Sequence, residues 1–530
     1  MGKLILTLLM GTVSLLAENN DSQVSSLRSF DFYLWDGNNI QTWIGNNASL
    51  VSHAPLGNAG LEWPKDSGST AVFSGGLWLA AGLIDGEAEV RTAMCEYTSE
   101  WGPGTRGSNP DADENRIYTI RSGDNASTPD WVNWPVSQGA PWTDEDEDGN
   151  WNPDIDTPLS KGGQYSWYII NDGSEELHGH LYNTSPLGVE VRTAIYGMDV
   201  DGMLGNTIFY EWNIKNAGEH HLDSVFAGIW MDPDIGYSGD DYAGTDPELE
   251  MAYTYNADSI DADYGSTPPA VGVMFIRTPL VSAPGETGYN AHGPVEDQSN
   301  VPMNASLIWR CGGSLCGPNS PWEAFNQMNG LDNEGDSLFD LHNNPTTHMF
   351  TGDPVTGEGW TEAGVGVPPG DRYFLMSAGP FSLAPGESQD FICALMLAQG
   401  SNHLNAISEL RSTAAYIKPL WPQLFETTSI NPDLDAVPGH FMLHPAFPNP
   451  FNPELRLSYS LTESSGVNLS IFNLRGERVW EKSISNQPPG TYSKIWAGLD
   501  QEGKSVGSGV YIVCLESAGV QLTQKITLIR

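Results

Sequence analysis

Basic residues are scarce in this chain: 23 Lys and Arg stand against 67 Asp and Glu, a formal charge of −44. Such a chain repels phosphate backbones, which argues against a nucleic-acid partner, and it attracts divalent cations. Cysteine is scarce too, five in 530 residues, too few for a fold built on disulfides. Cys393 and Cys514 sit inside apolar, strand-like runs and read as buried thiols, Cys95 is left over, and the short flexible loop Cys311 to Cys316 has the length to close as a local disulfide. Apolar runs of bilayer length are absent. The apolar run Leu4 to Leu16, after Met1-Gly2-Lys3 and before Ala17, is too short to span and predicts a secretory signal peptide over 1–17.

Catalytic signatures are missing as well. The chain has no HExxH, no GxSxG, no GxxxxGK[ST] and no GxGxxG following a strand pattern. His178-Gly179-His180 and His220-His221 are the clustered histidines, and without a third nitrogen or sulfur ligand nearby in sequence they read as surface or partly buried side chains. Paired carboxylates for glycoside hydrolysis carry no information among 67 acidic residues.

What is present is turn chemistry: 58 Gly and 36 Pro, with few helix-period patterns. This predicts short strands joined by many turns. Strands are expected over 71–79, 166–171, 189–196, 207–215, 224–230, 270–277, 372–378 and 390–398, several alternating as sheets with one wet face do. Leu404, Ile407, Leu410, Ala414 and Ile417 recur at helical spacing, so one amphipathic helix is expected over 401–418, ended by Pro419. The expected organisation is therefore a signal peptide 1–17, a β-rich region 18–418, a linker 419–440 and a C-terminal unit 441–530. The fold class is mainly β: a large antiparallel sandwich-like body with one helix, and a small C-terminal sandwich.

The sharpest motif of the body is the run from Asp144 to Asp156. Asp144, Asp146 and Asp148 alternate before Gly149, as at the start of an EF-hand-type calcium loop, where oxygens at every second position converge and glycine allows the sharp turn. The later carboxylates are Asp154 and Asp156 in place of a Glu at position twelve, and no helix pattern flanks the loop, so the expectation is a loop-type calcium site; the alternative is a solvated acidic turn. A second cluster, Asp232 and Asp234 followed by Asp240, Asp241 and Asp246, follows a strand and is a further candidate for calcium or an acidic loop. Asp332-Asn333-Glu334-Gly335-Asp336 is a weaker third. Trp43, Trp63, Trp78, Trp101, Trp131, Trp134, Trp142 and Trp151 crowd the first 160 residues among turn-rich segments. They either stack on a glycan or anchor an envelope partner, or they plug the core beneath the long segments 56–66 and 101–160.

The last ninety residues differ in charge: eight Lys and Arg against seven Asp and Glu, which leaves about −45 upstream. They alternate with period two over 455–461, 467–472, 478–480, 492–496, 510–515 and 524–529, separated by turn residues, the pattern of a sandwich of about seven strands. The entry Phe447-Pro448-Asn449-Pro450-Phe451-Asn452-Pro453, the run Ile471 to Gly476, Gly490 with Trp496, the turn 500–503, Ser508-Gly509-Val510-Tyr511 and Lys525 resemble the type A C-terminal sorting domain of the type IX secretion system and the related immunoglobulin-like domain of flagellar hook-cap proteins. The resemblance implies passage through the inner membrane by a signal peptide, then outer-membrane export through secretion machinery that reads the tail, often with tail removal and surface attachment. The expected function is an exported, calcium-stabilised binding or structural protein; the rival is a secreted hydrolase of polysaccharide or protein.

Overall fold

The computed structural model describes residues 30–52, 57, 59–310 and 316–425, and, of the C-terminal unit, 442–443, 446, 451–452, 455–461, 465–473, 475–487, 490–501, 503–517 and 520–529. The signal-peptide segment, Cys311 and most of the linker lie outside the described residues.

The body is mainly β, as its alternation predicts. Two large antiparallel sheets pack face to face. One runs Met303–Trp309, Tyr373–Leu383, Leu222–Asp232, Ser74–Ile84, Ser49–Val51, with Glu87–Met94 also on Ser74–Ile84. The other runs Asp241–Asp246, Met251–Asn256, Ala270–Arg277, Ser388–Ala398, Thr207–Asn216, Val189–Gly197, Gln164–Asn171, Gly102–Pro103, with Tyr118–Arg121 also on Gln164–Asn171. Period-two geometry sends Leu77, Leu79, Ile229 and Met376 from the first sheet and Val191, Tyr210, Val273 and Phe391 from the second into one shared core.

The outer faces are not wet, contrary to the expectation from alternation. Trp78, Ala80, Phe226 and Trp230 on the back of the first sheet are covered by Ala324 and Met328 of the helix Pro321–Met328. On the back of the second, Ile392, Met396 and Met274 are covered by Ile407, Leu410, Ala414 and Ile417 of the helix His403–Phe425. The strand Gln164–Asn171 is buried at every position, its outward Tyr165 and Trp167 lying against Trp134. Tyr, Trp and Thr on these outer faces supply alternation in polarity without meeting water.

The helix also corrects the sequence reading. It does not stop at Pro419 but continues through Pro419 and Pro422 to Phe425, so the expected linker begins inside a helix. Trp421 is the reason: it is buried against the second sheet's outer core, with Lys161 and Arg277 over its ring at 5.1 and 5.4 Å.

Six of the eight tryptophans lie in or against the core clusters. Trp63, Trp78, Trp101 and Trp134 are buried, Trp43, Trp131, Trp142 and Trp151 half-buried, and Trp142 meets Trp151 edge-to-face at 5.7 Å. Cys393 and Cys514 are buried, as expected of inert thiols, and Cys95, left over in the sequence reading, is buried too. In the C-terminal unit, sheets of three and four strands among the described residues close on Leu457, Tyr459, Leu469, Ile471, Trp496, Val513 and Ile526. That is the small sandwich its spacing predicts.

Candidate metal centre

Strand pairing builds the main acidic site. Leu222–Asp232 runs antiparallel to Tyr373–Leu383 with Met231 opposite Phe374, so the end of the first strand lies beside the start of the second. Asp232 and Asp234 therefore meet Asp371, and one carboxylate oxygen from each falls within 4.8 Å of the others. Two oxygens bound at 2.3 to 2.6 Å to one calcium ion lie at most about 5 Å apart, so the spacing suits a shared ion.

The electrostatics point the same way. Asp232 is only 4% exposed. Its Oδ2 accepts from the Tyr97 hydroxyl at 2.6 Å, while its Oδ1 and the Oδ1 atoms of Asp234 and Asp371 are buried with no donor among the described residues. Burial, then the neighbouring Asp234, pushes Asp232 up to about 8; burial, then Asp371, pushes Asp234 up to about 7. Asp371 is also raised by burial, against the pull of Tyr373 and Arg372. Buried carboxylates without partners are costly, and a cation relieves both the desolvation and the mutual repulsion. An all-oxygen set suits hard divalent cations, calcium among them, rather than zinc or copper.

The Asp144 loop has a different construction. Asp144, Asp146 and Asp156 bring oxygens within 4.8 Å of one another, whereas Asp148 and Asp154 are not in that group. Gly149 takes φ +76°, the sharp turn its position predicts. Short strands Trp142–Thr143 and Thr157–Pro158 flank the loop in place of helices. Its oxygens are largely engaged: Asp144 accepts from the backbone N–H of Asp148 and Gly149, and buried Asp156 from Glu145 and Asn152. Backbone donors thus close this loop, whereas at the Asp232 centre the hydroxyls of Tyr97 and Tyr373 reach one oxygen each of Asp232 and Asp371, and the three Oδ1 atoms meet no donor among the described residues.

Asp240 and Asp241 lie nearby, at the end of the turn Ser238–Asp240 and the start of the strand Asp241–Asp246. Asp246 is instead paired with Arg411 at 3.1 Å. In the third cluster Asp332 accepts from Asp336 N at 2.8 Å, an ordinary acidic turn.

Two groups were not legible in sequence. Asp371 stands far from Asp232 along the chain, and only the pairing of two expected strands would have joined them. His178 is not on the surface: it is fully buried in the short helix Glu175–His178, between Asp172 (Nε2 to Oδ2 3.5 Å) and Glu100 (Nδ1 to Oε1 3.6 Å), both also fully buried. His180 is exposed, so the two histidines do not act as a metal pair. His220 and His221 are surface partners of Asp85 and Asp223.

No protein of curated function matches this chain. Among solved structures it is similar to FlgD from P. aeruginosa, with 23% identity, 14% of this chain and 61% of that one covered, and a TM-score of 0.13. It is similar to a polysaccharide lyase at 10% identity, covering 95% of this chain and 47% of that one, TM-score 0.24. It is similar to dimeric latent PorU from Porphyromonas gingivalis at 9% identity, covering 80% and 35%, TM-score 0.16. The chain spans less than two thirds of each, and at these TM-scores none bears on the fold or activity of the body. Residues 445–529, however, match the family described as the secretion system C-terminal sorting domain. The C-terminal sandwich belongs to that family, a type IX sorting tail that makes the chain a secreted or cell-surface protein.

Proposed function

We propose that the exported body acts by binding, as an adhesive, glycan-contacting or envelope-layer protein, and that calcium at Asp232, Asp234 and Asp371 holds it rigid. The observation that carries this reading is a buried Oδ1 on each of three carboxylates that no donor among the described residues reaches, in a group whose oxygens approach within 4.8 Å of one another. These oxygens turn away from solvent, where a catalytic acid or base of the rival hydrolase would have to meet its substrate. Asp232 ends a strand of the first sheet, Asp371 precedes the neighbouring strand, and Asp234 begins the crossover to the second sheet, so one ion ties the sandwich together at this end. Asp144, Asp146 and Asp156 offer calcium a separate place on the surface loop. The tail supplies delivery through the secretion machinery.

The test is thermal unfolding of the full chain in EGTA and in rising calcium. Ligand bound only by the folded state stabilises by about 2.7 kcal/mol at a hundred times its Kd, so Tm rises with calcium, and the Asp371→Asn variant shows a smaller rise. A Tm indifferent to calcium overturns the ion. Turnover of a polysaccharide or peptide that Asp234→Asn abolishes overturns the binding reading in favour of the hydrolase.

A further inference from the structure

The strand Asp241–Asp246, at the edge of the second sheet, pairs antiparallel with Met251–Asn256, and the register sets Asp241 directly opposite Asn256. Directly opposed residues project on the same face with Cβ atoms about 4.5–5.5 Å apart. Both side chains are fully buried. Asn256 donates through Nδ2 to the carbonyl oxygens of Asp258 at 3.1 Å and Ile260 at 3.4 Å. Those two carbonyls fix the amide's orientation, because the flipped form would set oxygen against oxygen. Its Oδ1 is thereby left as an acceptor, and no donor among the described residues meets it.

Asp241 and Asp240 repeat the pattern. Asp241 spends Oδ2 on the N–H of Ile235 at 3.1 Å, and its Oδ1 is buried without a donor among the described residues. The Oδ1 of Asp240 is likewise buried and unpartnered, and the Asp240 carbonyl accepts from Ala257 N at 2.8 Å, which holds this residue beside Asn256. An unpaired buried acceptor is costly, and more so when it is charged. Asp234 and Asp261 add further negative charge around Asp241.

We infer that Asp240, Asp241 and Asn256 hold a second divalent cation, distinct from the one at Asp232, Asp234 and Asp371. Three oxygen acceptors drawn from a turn, a strand and its cross-strand partner, one of them a neutral amide, are the donor set of calcium. Magnesium retains several waters and demands a stricter octahedron, which the full burial of Asp241 and Asn256 disfavours. The first site ties the end of one sheet to the crossover; this one pins the edge strand of the other sheet to the turn that precedes it. The two sites rest on different oxygens and fail separately.

The experiment is a count of calcium per chain, by native mass spectrometry of the full protein equilibrated with calcium alone. Asn256→Ala is expected to carry one ion fewer than wild type, Asp371→Asn one fewer, and the double variant two fewer. Asn256→Ala with the wild-type count overturns this site. Asp371→Asn with the wild-type count overturns the first site and leaves this one standing. If Asn256→Ala fails to fold, Asn256→Asp adds ligand charge at nearly constant shape and is expected to tighten one calcium-binding step about tenfold or more. An affinity unchanged or weakened in that variant overturns the inference.

Discussion

Tyr97 donates its hydroxyl to Oδ2 of Asp232 at 2.6 Å, while its ring meets Trp230 edge-on at 5.2 Å and Phe73 at 6.0 Å. The ring contacts hold the hydroxyl in place, and the hydroxyl occupies one carboxylate oxygen so that the other is left for the proposed ion. Tyr97 is thus a positioning residue for the proposed ion. Partners of this kind typically carry 10- to 100-fold in metal affinity. Tyr97→Phe keeps the ring packing and should weaken calcium binding by about tenfold with the apo Tm nearly unchanged. Calorimetric titration checks it, and equal affinity in the variant would show that Asp232 needs no such support.

The buried network of Glu100, His178 and Asp172 gives the body a pH dependence of known sign. Burial alone lowers the His178 pKa, but the carboxylates of Asp172 and then Glu100 beside it outweigh that and raise it to about 10, while the ring's hydrogen bonds join Nε2 to the Asp172 carbonyl oxygen at 2.9 Å and Nδ1 to the Thr184 hydroxyl at 3.3 Å. Asp172 in turn accepts from the N–H of Leu187, Gly188 and Val189, so the network anchors the start of the strand Val189–Gly197. A folded-state pKa above the ordinary value of about 6.5 stabilises fully below pH 6.5 and loses that contribution as pH rises to 10. His178→Gln removes the charge and leaves two buried carboxylates, at a cost of about 3–5 kcal/mol. The Tm gap between wild type and variant should be widest near pH 6 and narrow towards pH 10. A gap constant across that range would mean that the imidazole is neutral when folded.

Seven of the eight expected strands of the body form as single strands, because runs of β-branched or aromatic residues, several with a two-residue period, keep that signal whether the outer face meets water or a helix; the run expected over 71–79 instead divides at Phe73 between Thr70–Val72 and Ser74–Ile84, which lie in different sheets. Exposure of those faces was not readable: Trp78 and Phe226 look the same under a helix as under a ligand. The acidic runs at 144–156 and 232–241 announced themselves by local spacing. Asp371 and Asn256 did not, since each enters only through strand register. His178 is the converse case, a histidine beside another histidine whose partners, Glu100 and Asp172, reach it through the tertiary fold.

Packing around the turn Leu204–Asn206 leaves no place for a methyl group. A Cβ added at Gly205 would stand 1.7 Å from the carbonyl oxygen of Val200, a backbone atom that cannot swing aside. The Gly205 carbonyl accepts from Asn39 N at 3.0 Å, and the neighbouring Asn206 side chain accepts from Trp63 Nε1 at 2.9 Å. Any shift is thus passed to the segment around Trp63. Gly205→Ala should destabilise by about 1–3 kcal/mol and alter the near-ultraviolet dichroism of the tryptophans before unfolding. Wild-type stability would show that the turn adapts freely.

The last turns of the helix His403–Phe425 exist against local preference. Pro419 and Pro422 each lack the N–H that would reach back four residues, a defect of about 3 kcal/mol in a helix interior. Burial of Trp421 between them, under Lys161 and Arg277, opposes that defect, and large-to-small replacement of such a ring costs about 3–5 kcal/mol. The two prolines together cost about 6 kcal/mol, and removing the ring withdraws the burial that opposes them, so its removal should release the segment. Trp421→Ala is therefore expected to end the helix near Lys418, where the sequence alone would stop it, with amide protection lost at 420, 421 and 423–425 and kept upstream of Ile417. Trp421→Phe retains most of the buried area and should keep that protection. Protection surviving in the alanine variant would assign the helix end to a contact other than this ring.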